Sequence, residues 1–75
     1  MPFDRESALR NADKALKLGK LDQAIAEYAS IVTQQPRDLS TANLLGDLYA
    51  RAGQNDKAMA EYARIGAQYL DDGFL

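Results

Sequence analysis

The chain has 75 residues, enough for one small domain whose folding hides only about 60% of the surface exposed by the unfolded chain, so any core must be thin. With 47% hydrophobic and 27% charged residues it is too apolar for disorder, and the absence of cysteine and histidine removes disulfides, thiolate metal sites and the usual acid–base group. Catalysis, a cofactor and a bound metal are therefore not expected, and a net charge of −2 from interspersed acids and bases offers no field for nucleic acid.

The amino terminus, MPFDRESALRNADK, carries charges every few residues and has no apolar run of signal-peptide length. No segment approaches the roughly 20 apolar residues needed to span a bilayer, so no membrane insertion is expected and a cytoplasmic location is the expectation. After a lead over residues 1–4, the pattern predicts a first helix over residues 5–18, lined by Ala8, Ala12, Ala15 and Leu16. Gly19 ends it by supplying the left-handed conformation of a C-terminal cap. A second helix over 22–35 opens with Asp22, whose carboxylate suits the positive end of the helix dipole. Its apolar face is Ala24, Ile25, Tyr28, Ile31 and Val32, and Pro36 closes it. Arg37 and Asp38 lead into a third helix over 39–52, lined by Ala42, Leu45, Gly46 and Tyr49 and ended by Gly53. A fourth over 56–71 opens with Asp56 and carries Ala58, Met59, Tyr62, Ile65 and Tyr69 along one face. Nothing breaks this last helix until Gly73, so it should outlast the second, with Phe74 folding back towards Tyr69.

The chain says nearly the same thing twice: AIAEYASI at residues 24–31 returns 34 positions later as AMAEYARI. Laying residues 5–38 over 39–72 gives 12 identities in 34 pairs, among them Gly19/Gly53, Asp22/Asp56, Tyr28/Tyr62 and Asp38/Asp72. Chance gives roughly two or three at ordinary residue frequencies, so each half is one copy of a helical hairpin. Small residues on the first helix of each copy let its backbone approach the large residues of the second, which puts Tyr28 and Tyr62 at equivalent sites.

These residues resemble the tetratricopeptide repeat. Its 34-residue pattern asks for small residues at Ala12/Gly46, Ala24/Ala58 and Ala42, an aromatic at Tyr28/Tyr62, glycine at the turn and proline at the end. Copy two supplies the leucine-glycine-aromatic run as Leu45, Gly46 and Tyr49. Two departures stand out: Asn11 replaces the usual leucine, the mark of a terminal capping helix with a wetter face, and Leu70 replaces the closing proline. The resemblance implies an all-α fold of two 34-residue helix-turn-helix repeats, 5–38 and 39–72, stacked as a short right-handed α-solenoid. The tail YLDDGFL resembles the lead into a further helix pair in bacterial multi-repeat proteins of this kind, with residues 73–75 opening that continuation.

What the resemblance implies for activity is a non-enzymatic interaction module whose first helices line a concave groove for a peptide or helix of a partner protein. Carried over position by position, that groove presents Leu9, Asp13, Leu16 and Lys17 from copy one and Asn43, Asp47, Ala50 and Arg51 from copy two. Each set is spaced i, i+4, i+7, i+8, one helical face, although Leu9 and Leu16 serve equally well as core. The family's carboxylate clamp for chaperone tails, built from lysine and asparagine, meets Leu9, Asp13 and Leu44 here, and Asp13 and Asp47 repel an anionic tail. Asp71-Asp72-Gly73 lacks the alternating oxygen ligands of a calcium loop and reads as a helix end; Glu27 and Glu61 read as exposed helix positions. A competing function is self-assembly: Ile65, Tyr69, Leu70, Phe74 and Leu75 form an apolar C-terminal edge with nothing after it, and two copies are fewer than the roughly three such arrays usually need.

Overall fold

A computed structural model describes residues 3–72. Over that span the chain forms four helices, α1 (Arg5–Lys17), α2 (Leu21–Gln34), α3 (Leu39–Arg51) and α4 (Asn55–Asp72), and no strands among the described residues. The bounds fall within one residue of the expected ones at every end, because the residues that set them act locally.

Gly19 and Gly53 have φ of 73° and 77°. At each, the amide three residues past the helix reaches back into its last turn: Lys20 N to Ala15 O at 2.8 Å, and Gln54 N to Tyr49 O at 2.8 Å. This pairing satisfies carbonyls that the helix end would otherwise leave open. Before Pro36, Gln35 adopts φ −133° and ψ 74°, outside the helical region, so α2 stops after 14 residues while α4, with Leu70 in place of proline, runs for 18. The odd-numbered helices are capped by aspartate side chains: Asp4 accepts from Ser7 N at 3.2 Å and Asp38 from Thr41 N at 3.2 Å. Hydrogen bonds from the Ser7 hydroxyl and then its amide hold the exposed Asp4 carboxyl below the usual carboxylate value. Asp22 and Asp56 lie in the first turns of α2 and α4, where charge meets the dipole; α2 has no side-chain cap.

The helices pack in sequence, α1 on α2, α2 on α3 and α3 on α4. The core joins Ala8, Ala12 and Ala15 of α1, Ala24, Ile25, Tyr28, Ile31 and Val32 of α2, and Ala42, Leu45 and Leu48 of α3, with Ile31 and Leu45 the largest side chains wholly enclosed. Two polar joints tie the hairpins together across the sequence. Arg5 donates to Asp38 Oδ2 from Nε at 3.0 Å and Nη2 at 2.6 Å, so the residue that caps α3 also anchors the start of α1. Burial alone raises the Asp38 carboxyl, but hydrogen bonds from Thr41 and Arg5 outweigh it and hold the group below its usual value. In the second joint, Arg64 of α4 donates to the Pro36 carbonyl at 3.0 Å and to Glu61 at 3.0 Å.

Three expectations are corrected here. Glu27 and Glu61 are half-buried rather than exposed, and Glu61 is held by Arg64, whose counterpart in copy one is Ser30. Ile65 is half-buried and packs against the core, so it does not form an open edge. Tyr28 and Tyr62 are not equivalent: Tyr28 is 7% exposed and Tyr62 40%. A third hairpin would cover Tyr62 as α3 helps to cover Tyr28. The Tyr62 ring instead lies over Gly46, where an added Cβ would meet its Cε1 at 2.7 Å.

Candidate partner-binding groove

Of the eight residues expected in the groove, Leu9 and Leu16 are half-buried and packed against the core, so they do not project from α1. Asp13, Lys17, Asn43, Asp47, Ala50 and Arg51 are exposed. The two acids are already engaged, each differently. Asp13 Oδ2 accepts from Lys17 Nζ at 2.9 Å, one turn further along α1, an exposed pair of little energetic consequence. Asp47 accepts a hydrogen bond from the Tyr62 hydroxyl, which reaches it across the bare backbone of Gly46. That bond, then desolvation and the carboxylate charge, raises the Tyr62 phenol above its ordinary 10.0. A carboxylate has about four acceptor positions, so both acids keep capacity for donors from outside.

Two depressions connect these residues with others. A cleft of about 200 Å³ is lined by Leu16 and Gly19 from copy one, Leu21, and Arg51 from copy two, bringing one expected groove residue of each hairpin to a common surface. A wider hollow of about 610 Å³ joins Asn43 to Arg37, Asp38, Leu39 and Ser40 on one side and to Ile65 and Tyr69 of α4 on the other. Asn43 therefore shares a surface with part of the expected apolar edge. Of that edge, Tyr69 is 45% and Leu70 60% exposed, while Phe74 and Leu75 lie outside the described residues.

A model of the tetratricopeptide repeat family matches residues 7–73. The chain belongs to the tetratricopeptide repeat family. No curated protein and no solved structure gives a match. Tetratricopeptide repeats are in general protein–protein interaction modules on a typically non-catalytic scaffold. In this tetratricopeptide repeat chain no cluster of carboxylates among the described residues could hold a metal ion, and no helix among them is long and apolar enough to cross a membrane.

Reading the sequence missed two features of the surface. Met59, assigned to the inner face of its helix, is 68% exposed. Its counterpart Ile25 is 9% exposed because a further hairpin follows α2. Tyr62 was placed in the core, yet its hydroxyl belongs to the exposed face of α3 through Asp47. The signal for both lay in the repeat itself: whatever the second hairpin supplies to the first, the second lacks.

Proposed function

We propose that the chain is a scaffold module that holds a peptide or helix of a partner protein along α1 and α3, in the cytoplasm. The observation that carries this reading is the cleft lined by Leu16 and Arg51, which joins the first helices of the two hairpins in one depression with an apolar base and the Arg51 side chain beside it. Binding pockets of this kind take their specificity from a few polar groups over an apolar base. The ligand class follows from the acceptors: Asp13 and Asp47 receive amide or basic donors, Asn43 bonds to the ligand backbone, and an anionic C-terminal tail is rejected. Affinity is modest, since only two hairpins contribute.

The test is to select peptides from a display library against the folded chain and titrate them by calorimetry. Asp13→Ala combined with Asp47→Ala should weaken a selected peptide by about tenfold or more, the loss of one or two charge-assisted hydrogen bonds. Unchanged affinity would remove the groove from consideration. A second reading, self-association through the C-terminal edge, is favoured by one specific observation: Met59, Tyr62, Tyr69 and Leu70, four of the six exposed large apolar side chains among the described residues, all lie on α4.

A further inference from the structure

Met59, Ala63, Gly66 and Leu70 recur along α4 at i, i+4, i+7 and i+11, the spacing of a seam between two helices. All four are exposed, and Met59 and Leu70, at 68% and 60%, are the two most exposed large apolar residues described. The corresponding positions on α2 include Ile25 and Val32, which are buried, and α3 packs against that helix. The seam is thus a helix-docking face that no other element covers among the described residues.

Gly66 sharpens the question of what covers it. Glycine inside a helix is unfavourable relative to alanine, and a Cβ at Gly66 would meet nothing within 4 Å. The packing of one chain gives no reason for it. Close approach of a second backbone does.

We propose that α4 pairs with α4 of a second copy in antiparallel fashion about a two-fold axis, rather than stacking copies head to tail. This rests on the self-association reading and specifies its geometry. The seam is complementary to itself when reversed: Met59 faces the partner's Leu70, and Ala63 faces the partner's Gly66, with large residues closing both ends of a narrow middle. Head-to-tail stacking would instead lay this seam on the outer face of the first hairpin. There Asn11 and Lys14 stand exposed where α3 has the buried Leu45 and Leu48, and the open cavity of about 380 Å³ beside them is lined with Lys20, Gln23 and Glu27. Desolvating those ammonium groups costs more than the contact returns.

Size decides the strength. With Met59 68% and Leu70 60% exposed, the two large side chains of the seam leave roughly 250 Å² open per copy, taking about 200 Å² for each when fully exposed. Pairing therefore hides about 500 Å² of large apolar side chain in all, well under the roughly 1,600 Å² of a standard interface, so the dimer is weak and reversible.

Sedimentation equilibrium of the full chain, in a dilution series reaching about 1 mM, reads the assembly state. The expected result is a monomer–dimer equilibrium with no larger species, weakened about tenfold or more by Gly66→Glu, a variant whose helix content by circular dichroism should match the parent. The register is read by cysteine cross-linking, since the chain has no cysteine of its own. Met59→Cys mixed with Leu70→Cys should give the mixed disulfide in preference to either like-with-like product, and Met59→Cys mixed with Lys14→Cys should give little. A monomer throughout the series overturns both this inference and the self-association reading. Dimers or longer oligomers cross-linked through Lys14→Cys, or mainly like-with-like, overturn the antiparallel register alone.

Discussion

Asp38 ties the start of α1 to the start of α3, and Asp38→Ala tests what that joint contributes. Its carboxylate, 15% exposed, accepts from the Thr41 amide at 3.2 Å, the Thr41 hydroxyl at 2.7 Å and the Arg5 guanidinium at 2.6 Å. Loss of the N-cap costs about 1 kcal/mol. The Thr41 hydroxyl, in a residue 2% exposed, then lacks its partner, at about 1 kcal/mol more. The Arg5 pair adds at most about 0.5–1 kcal/mol, because the guanidinium is 41% exposed. The total, about 2–3 kcal/mol, is a large share of the roughly 4–11 kcal/mol expected for a chain of this length, and corresponds to a fall in melting temperature of about 10–20 °C. Urea denaturation followed by circular dichroism measures it. Asp38→Asn, which keeps an acceptor for the amide, should lose about half as much, and Arg5→Ala less than about 1 kcal/mol. The pH dependence has a fixed sign. The folded carboxyl titrates below its unfolded value of 3.8, so its contribution is whole above that pH and is lost as pH falls through the folded value. A loss below about 0.5 kcal/mol for Asp38→Ala would refute the joint.

Other expectations follow from the same surroundings. Tyr28→Ala should cost about 3 kcal/mol or more and Tyr62→Ala about 1–2 kcal/mol in the same denaturation experiment, since one ring is buried and the other 40% exposed; equal costs would contradict this. Gly53→Ala should destabilise by about 1 kcal/mol, because alanine is strained at φ 77°, and Gly19→Ala by a similar amount. Asp47→Ala should lower the Tyr62 phenol towards its ordinary value by removing the acceptor and the charge that raise it, as read by ultraviolet titration of the tyrosines. Gly46→Ala should do the same by pushing the ring off its path, with little net change in stability because alanine favours the helix.

How far the sequence discloses this molecule depends on the range of the interaction that each residue makes. Gly19, Gly53, Pro36 and the aspartates act on their own turn, so the helices and their ends were legible from spacing alone. The 34-residue echo then supplied the hairpins and their order. Arg5 and Asp38 meet across 33 residues, and Arg64 meets the Pro36 carbonyl across 28; nothing in the local pattern announces either partner. The helical spacing sets the expected groove positions on one face of each first helix, yet Leu9 and Leu16 sink towards the core while Asp13 and Lys17 turn to each other, outcomes decided by packing.

The repeat misleads where it is most faithful. Tyr28 and Tyr62 sit in the same eight-residue phrase, but burial belongs to neighbours rather than to the residue. Tyr28 is covered because α3 follows α2; nothing among the described residues follows α4 in the same way, so Tyr62 turns its hydroxyl to Asp47 and Met59 stays open. At the other end the sequence has changed to suit its surroundings, with Asn11 and Lys14 in place of Leu45 and Leu48. The first hairpin is built to meet water on its outer face and the second is not. That asymmetry makes the open face of α4, rather than the groove, the part of the surface with the stronger thermodynamic reason to be covered.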